Sequence, residues 1–71
     1  MNITNAAVGT EYTVLALETD DDEMDSFLLS LGCYPGERIT LISKQHGNYV
    51  IAVKDGRYSI DPPLAEAILI S

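Results

Sequence analysis

Cys33 and His46 are the only thiol and the only imidazole in the sequence, and the carboxylates Glu18, Asp20, Asp21, Asp22, Glu23 and Asp25 crowd into one short run. Hard divalent cations take carboxylate oxygens, so the acidic run is the first place to look for a metal site. Its spacing does not build one. An EF-hand frame begun at Asp20 puts Met24 at the fifth position and Leu31 at the twelfth; one begun at Asp21 puts Ser26 where glycine is required and Gly32 where glutamate is required. Asp20, Asp21 and Asp22 are left as candidates for weak, fast-exchanging binding of Ca²⁺ or Fe²⁺, beside the plainer reading of a solvated loop that caps a helix. One cysteine and one histidine cannot supply a structural zinc site, which uses paired ligands. The sequence calls for no cofactor. No Ser, Thr or Cys has a recognisable base partner, and Gly9, Gly32, Gly36, Gly47 and Gly56 are too scattered to cradle a phosphate.

Size points the same way. A chain of 71 residues, 46% of them hydrophobic, reads as one domain, residues 1–71. A core this small rarely supplies more than ~3–5 kcal/mol of net stability, and a catalytic pocket would spend part of it on a cavity of about 300–1,000 Å³. A non-enzymatic protein is expected. The charge is −7, but unevenly spread. Residues 1–37 hold eight acids and no base, whereas residues 38–71 hold three acids and four bases, so the halves carry −8 and +1. Lys and Arg drive affinity for phosphate backbones and anionic membranes, so neither nucleic acid nor a membrane surface is an expected partner. No run of 18 apolar residues could span a bilayer. Met1-Asn2-Ile3-Thr4 lacks the basic and apolar regions of a signal peptide, and the cysteine is unpaired, so a cytoplasmic location is expected.

The elements that would position these residues follow from hydrophobic period and turn chemistry. Glu11 to Glu18 is rich in β-formers and reads as a strand, with Tyr12, Val14 and Ala16 on one face and Leu15 and Leu17 on the other. Met24, Phe27, Leu28 and Leu31 recur at i, i+3, i+4 and i+7, the stripe of an α-helix. Asp22 is read as its N-cap, with Asp25 completing a short-armed capping box, and Gly32 as its left-handed C′ residue. Tyr34-Pro35-Gly36-Glu37 has the residues of a type II turn. Strands follow at Arg38–Lys44 and Tyr49–Lys54 around a turn at Gln45–Asn48; Asp55-Gly56 is the hairpin signal before Arg57–Ile60. Asp61-Pro62-Pro63 opens a short helix through Ala67, and Ile68–Ile70 closes the chain as a strand. The expected fold is mainly β: a small, partly open SH3-like barrel of about five strands with one inserted helix and a helical turn before the last strand.

Within that frame the partner-facing candidates are Leu29, Cys33 and Tyr34. At 100° per residue Leu29 lies about 150° from the centre of the helical stripe, so docking by that stripe turns it outward. Cys33 and Tyr34 follow at the helix end and could extend the same apolar surface. For Cys33 taken alone, a packed small hydrophobe is the plainer role; for His46, a solvent-facing turn residue.

These residues resemble a known family. Leu28-Leu29-Ser30-Leu31-Gly32 followed by Pro35-Gly36-Glu37-Arg38-Ile39-Thr40-Leu41-Ile42 is similar to the helix, "lGl-x-PG" turn and strand of FeoA, the small cytoplasmic component of bacterial ferrous iron uptake. Val8-Gly9-Thr10-Glu11-Tyr12-Thr13-Val14 resembles the family's opening strand, and Ile60 with Leu64-Ala65-Glu66-Ala67-Ile68-Leu69-Ile70 its closing segment. The chain departs from the family in carrying Asp22, Glu23 and Asp25 where bases are frequent, and Cys33 where an aliphatic residue is usual. The resemblance implies an SH3-like fold and an accessory protein that binds or regulates the ferrous iron transporter FeoB, whose cytoplasmic part contains a GTP-binding domain. An alternative is a divalent-metal-binding or metal-responsive regulatory domain, because the same module resembles the C-terminal domain of iron-dependent repressors. Those repressors carry an N-terminal DNA-binding region that this sequence is not expected to hold.

Overall fold

In the computed structural model, which describes residues 1–71, the strands are β1 (Glu11–Leu17), β2 (Arg38–Gln45), β3 (Asn48–Val53), β4 (Gly56–Ile60) and β5 (Ile68–Ile70). Helix α1 (Asp22–Leu31) is inserted between β1 and β2, and helix α2 (Pro62–Ala67) between β4 and β5. All strand pairs are antiparallel, in the order β4-β3-β2-β1-β5. The mainly β architecture read from the sequence is therefore present, with both helices in their expected places.

Two irregularities bend this sheet. β1 pairs with β2 through Glu11, Tyr12 and Thr13, then with β5 from Val14 onward, with a bulge between Val14 and Ala16. The extra residue switches which face points inward. Val14 is buried opposite Ile70, Leu15 is turned out to 54% exposure, and Leu17 packs on the core opposite Ile68. This resolves the two-faced apolar pattern of β1, which a regular strand could not have buried. A second bulge lies between Leu41 and Ser43 in β2. Together they let a short sheet curl around one core. The core holds Ile39 and Leu41 of β2, Ile51 and Val53 of β3, and Ile68 and Ile70 at the chain end, and no buried side-chain polar atom lacks a partner.

The structure moves three local features and adds a fourth. The N-cap of α1 is Asp21 and not Asp22: its Oδ1 accepts from the Glu23 N–H at 2.9 Å and the Met24 N–H at 3.3 Å. Three consecutive aspartates each have capping chemistry, and only the chain's path from β1 selects among them. Asp25 does not close a capping box; its Oδ1 accepts from the Thr19 hydroxyl at 2.7 Å. The β3–β4 connection is Lys54-Asp55, with the positive φ of 52° on Lys54, while Gly56 already pairs with Val53 in the ladder. Gly56 serves a different purpose: a Cβ there would overlap the Tyr58 phenol. Finally, Asn2 caps a 3₁₀ turn at Ile3–Asn5 that buries Ile3, and the Ile70 N–H donates to the Met1 carbonyl at 2.9 Å.

Phe27 departs from the stripe expected for α1. Leu28 is fully buried and Leu31 packs on the core, but Phe27 is 45% exposed. The covered face of the helix centres on Leu28, with Met24, Asp25 and Leu31 half-buried around it. Phe27, 100° from that centre, falls outside it.

Candidate docking site

The end of α1 is held by its cap. Gly32 adopts φ 105° and ψ 14°, and its N–H returns to the Leu28 and Leu29 carbonyls. The Cys33 N–H bonds the Leu28 carbonyl at 3.1 Å. Both contacts satisfy carbonyls left open at a helix end. A Cβ on Gly32 would lie 3.1 Å from Lys54 Cδ and 3.2 Å from Val53 Cγ1, so this corner seats α1 against the β3–β4 hairpin. The expected turn follows: Gly36 has φ 95°, and the Glu37 N–H donates to the Tyr34 carbonyl at 2.9 Å. Bonds from the Gly36 N–H to the Val14 carbonyl, 2.7 Å, and from the Val14 N–H to the Glu37 carbonyl, 2.8 Å, fix the turn to β1.

These constraints leave an open groove of about 480 Å³ between the last turn of α1 and the β3–β4 hairpin. Leu29 and Leu31 line it from the helix, Tyr34 from the turn, and Lys54 and Tyr58 from the hairpin. Leu29 is 36% exposed and Tyr34 49%. Two of the three residues singled out in the sequence as partner-facing, Leu29 and Tyr34, thus line one groove. Cys33 does not join them. It is fully buried, because the cap turns its side chain into the core behind Gly32, and burial pushes its thiol up to about 11 from the ordinary 9.0. Lys54 and Tyr58 were missed, since they reach the groove only through strand pairing. The one local hint was Gly56, whose missing side chain makes room for the Tyr58 ring.

The groove mixes apolar carbon with phenol hydroxyls and one ammonium, and Lys54 Nζ is paired with Glu37 Oε1 at 3.2 Å. An open surface of this composition suits an inserted apolar side chain with hydrogen-bonding neighbours. The acidic candidates are dispersed. Asp21 is engaged as the helix cap, Asp20 faces a separate hollow with Glu18 and Glu66, and no three Asp, Glu, His or Cys side chains are arranged to hold a metal ion.

The FeoA domain matches residues 1–71. The chain belongs to the FeoA domain family. No curated protein matches the sequence. Among solved structures, the iron uptake regulatory protein FeoA is 22% identical, covering 97% of this chain and 90% of its own at a TM-score of 0.84. The zinc complex of FeoA from Stenotrophomonas maltophilia, described as a prokaryotic SH3 domain protein, is 17% identical, covering 100% and 89% at 0.89. A manganese-dependent transcriptional repressor is 19% identical, covering 99% of this chain but 40% of its own, also at 0.89. At these identities the likeness establishes the SH3-like fold. No helix is long and apolar enough to cross a membrane.

Proposed function

We propose that this FeoA-family protein is a non-enzymatic accessory component of ferrous iron uptake that binds the cytoplasmic part of a FeoB transporter. The observation that carries the proposal is the convergence of exposed Leu29 and Tyr34 on one groove whose far wall is Tyr58 and Lys54. An aromatic and aliphatic patch seated on a rigid cap and hairpin is the composition of a binding hot spot. Its groove is open where a catalytic pocket would be enclosed, and the core holds no buried carboxylate, amine or imidazole. The Stenotrophomonas relative, put forward as a ferrous iron transport activating factor, supports a role on the transport system over a role in chemistry.

The test is calorimetry of the full chain with the cytoplasmic part of FeoB from the same organism. Leu29→Asp places a carboxylate in the groove and weakens binding by at least about tenfold, roughly 1.4 kcal/mol, while the folded spectrum is kept. Tyr34→Ala does the same to a smaller degree. Wild-type affinity in both variants would overturn the assignment of this groove.

A further inference from the structure

A second groove runs along the other flank of α1. Met24 and Phe27 form one wall and Pro63 and Leu64 of α2 the other, around an open volume of about 450 Å³. Phe27 stands 45% exposed in it. Phe27 and Leu29 point to opposite sides of α1, about 160° apart, with buried Leu28 between them. The helix is therefore a ridge with an exposed apolar side chain on each slope. Only the Leu29 slope is used in the function proposed above.

The rim of the second groove has one sign of charge. Asp21, Glu23 and Asp61 line it, and no Lys or Arg does. All four bases lie elsewhere, on β2, β4 and the β3–β4 connection, with Arg38 paired to Glu11 and Lys54 to Glu37. Asp21 and Asp61 each accept backbone N–H bonds as helix caps, and that role holds their carboxylates at the groove's edge. Asp20, Asp22 and Asp25 add to the same field. An apolar floor within an acidic rim selects its occupant by charge. A second copy would bring acid against acid, and phosphate-bearing surfaces are repelled.

We propose that the Phe27 groove docks a lysine- or arginine-rich peptide segment of a partner protein, which inserts one large aliphatic side chain between Phe27 and Leu64 and sets its bases against Glu23, Asp21 and Asp61. The aliphatic side chain supplies the burial, and the bases supply encounter rate and register. This docking is independent of the Leu29 groove, and the two are read separately by which amides respond.

The probe is a short synthetic amphipathic peptide with leucines on one face and several lysines on the other, titrated into ¹⁵N-labelled full chain. Two control peptides accompany it, one with every lysine replaced by glutamate and one with every leucine replaced by serine. The lysine–leucine peptide gives saturable shifts at Met24, Phe27 and Leu64, and binding weakens about tenfold in Phe27→Ala, in Glu23→Lys and on raising salt well above 0.1 M. Glu23 is exposed, so Glu23→Lys reports on the rim even if Phe27→Ala perturbs packing. Absence of saturable shifts, shifts confined to Leu29 and Tyr34, or undiminished binding by Glu23→Lys would each overturn the proposal. Equal binding of the serine peptide would reduce the effect to diffuse charge attraction and overturn it as well.

Discussion

Adjacent residues of α1 should differ sharply in what they hold together. Leu28 is fully buried and is the only buried residue of the helix, while Leu29 is 36% exposed beside it. Leu28→Ala removes the side chain that seats α1 on the barrel. Burial of this kind costs about 2–5 kcal/mol to delete, because the lost transfer energy is joined by the cavity left behind. Against a net stability of ~3–5 kcal/mol for a core of this size, a loss of about 3 kcal/mol leaves the protein near its folding threshold. At about 4–8 °C per kcal/mol the melting temperature falls by about 12–24 °C. Leu29→Ala loses a partly exposed side chain and gains helix propensity, so its cost stays within about 1 kcal/mol. Thermal melts followed by circular dichroism, with urea titration as a second measure, read both values. Melting temperatures within about 5 °C of each other would refute the assignment of Leu28 as the anchor and Leu29 as surface.

Other perturbations test separate parts of the structure. Asp21→Ala costs about 1 kcal/mol by removing the α1 cap, whereas Asp22→Ala, one residue inside the helix, costs much less; equal losses in urea melts would return the cap to Asp22. Gly56→Ala drives the Tyr58 phenol off its seat, costs about 1–3 kcal/mol and changes the near-ultraviolet spectrum; an unchanged spectrum and melt would contradict the packing. Cys33 does not react with a thiol reagent in the folded protein at pH 8, and reacts fully once unfolded. Because burial raises its pKa from 9.0 to about 11, the unfolded chain loses the proton first; the stability so gained is present below pH 9 and lost as pH rises through 11. That loss is about 2–3 kcal/mol, and Cys33→Ala removes it, so identical alkaline profiles of the two proteins would count against the burial.

Local codes carried much of the fold. The Gly32 cap, the Tyr34–Glu37 turn, the Asp61 cap of α2 and the closing strand each depend on a few neighbouring residues, and each was legible. What the sequence could not resolve depends on distant partners. Leu15 and Leu17 read as facing the same way, because a bulge that reverses one of them exists only when β1 leaves β2 for β5. Phe27 matched the helical stripe, but the face the barrel covers centres on Leu28 and is rotated away from Phe27. Ile3 gave no pattern of its own, since its turn is held by Met1 and Asn2 against β5. The candidate site divides in the same way. Leu29 and Tyr34 followed from helix geometry and turn position, Cys33 is the packed small hydrophobe of its plainer reading and not a surface residue because the cap turns it inward, and Tyr58 and Lys54 came into view only with the hairpin in place.

Binding of FeoB in the Leu29–Tyr34 groove is read residue by residue in an NMR titration of ¹⁵N-labelled protein with the cytoplasmic part of FeoB, run with and without guanine nucleotide and Fe²⁺. Docking in this groove gives shifts centred on Leu29, Tyr34, Lys54 and Tyr58 that are lost in Leu29→Asp. Shifts confined to the Glu18–Asp25 run, appearing only with Fe²⁺, would contradict it and assign the protein to iron handling through its acidic segment.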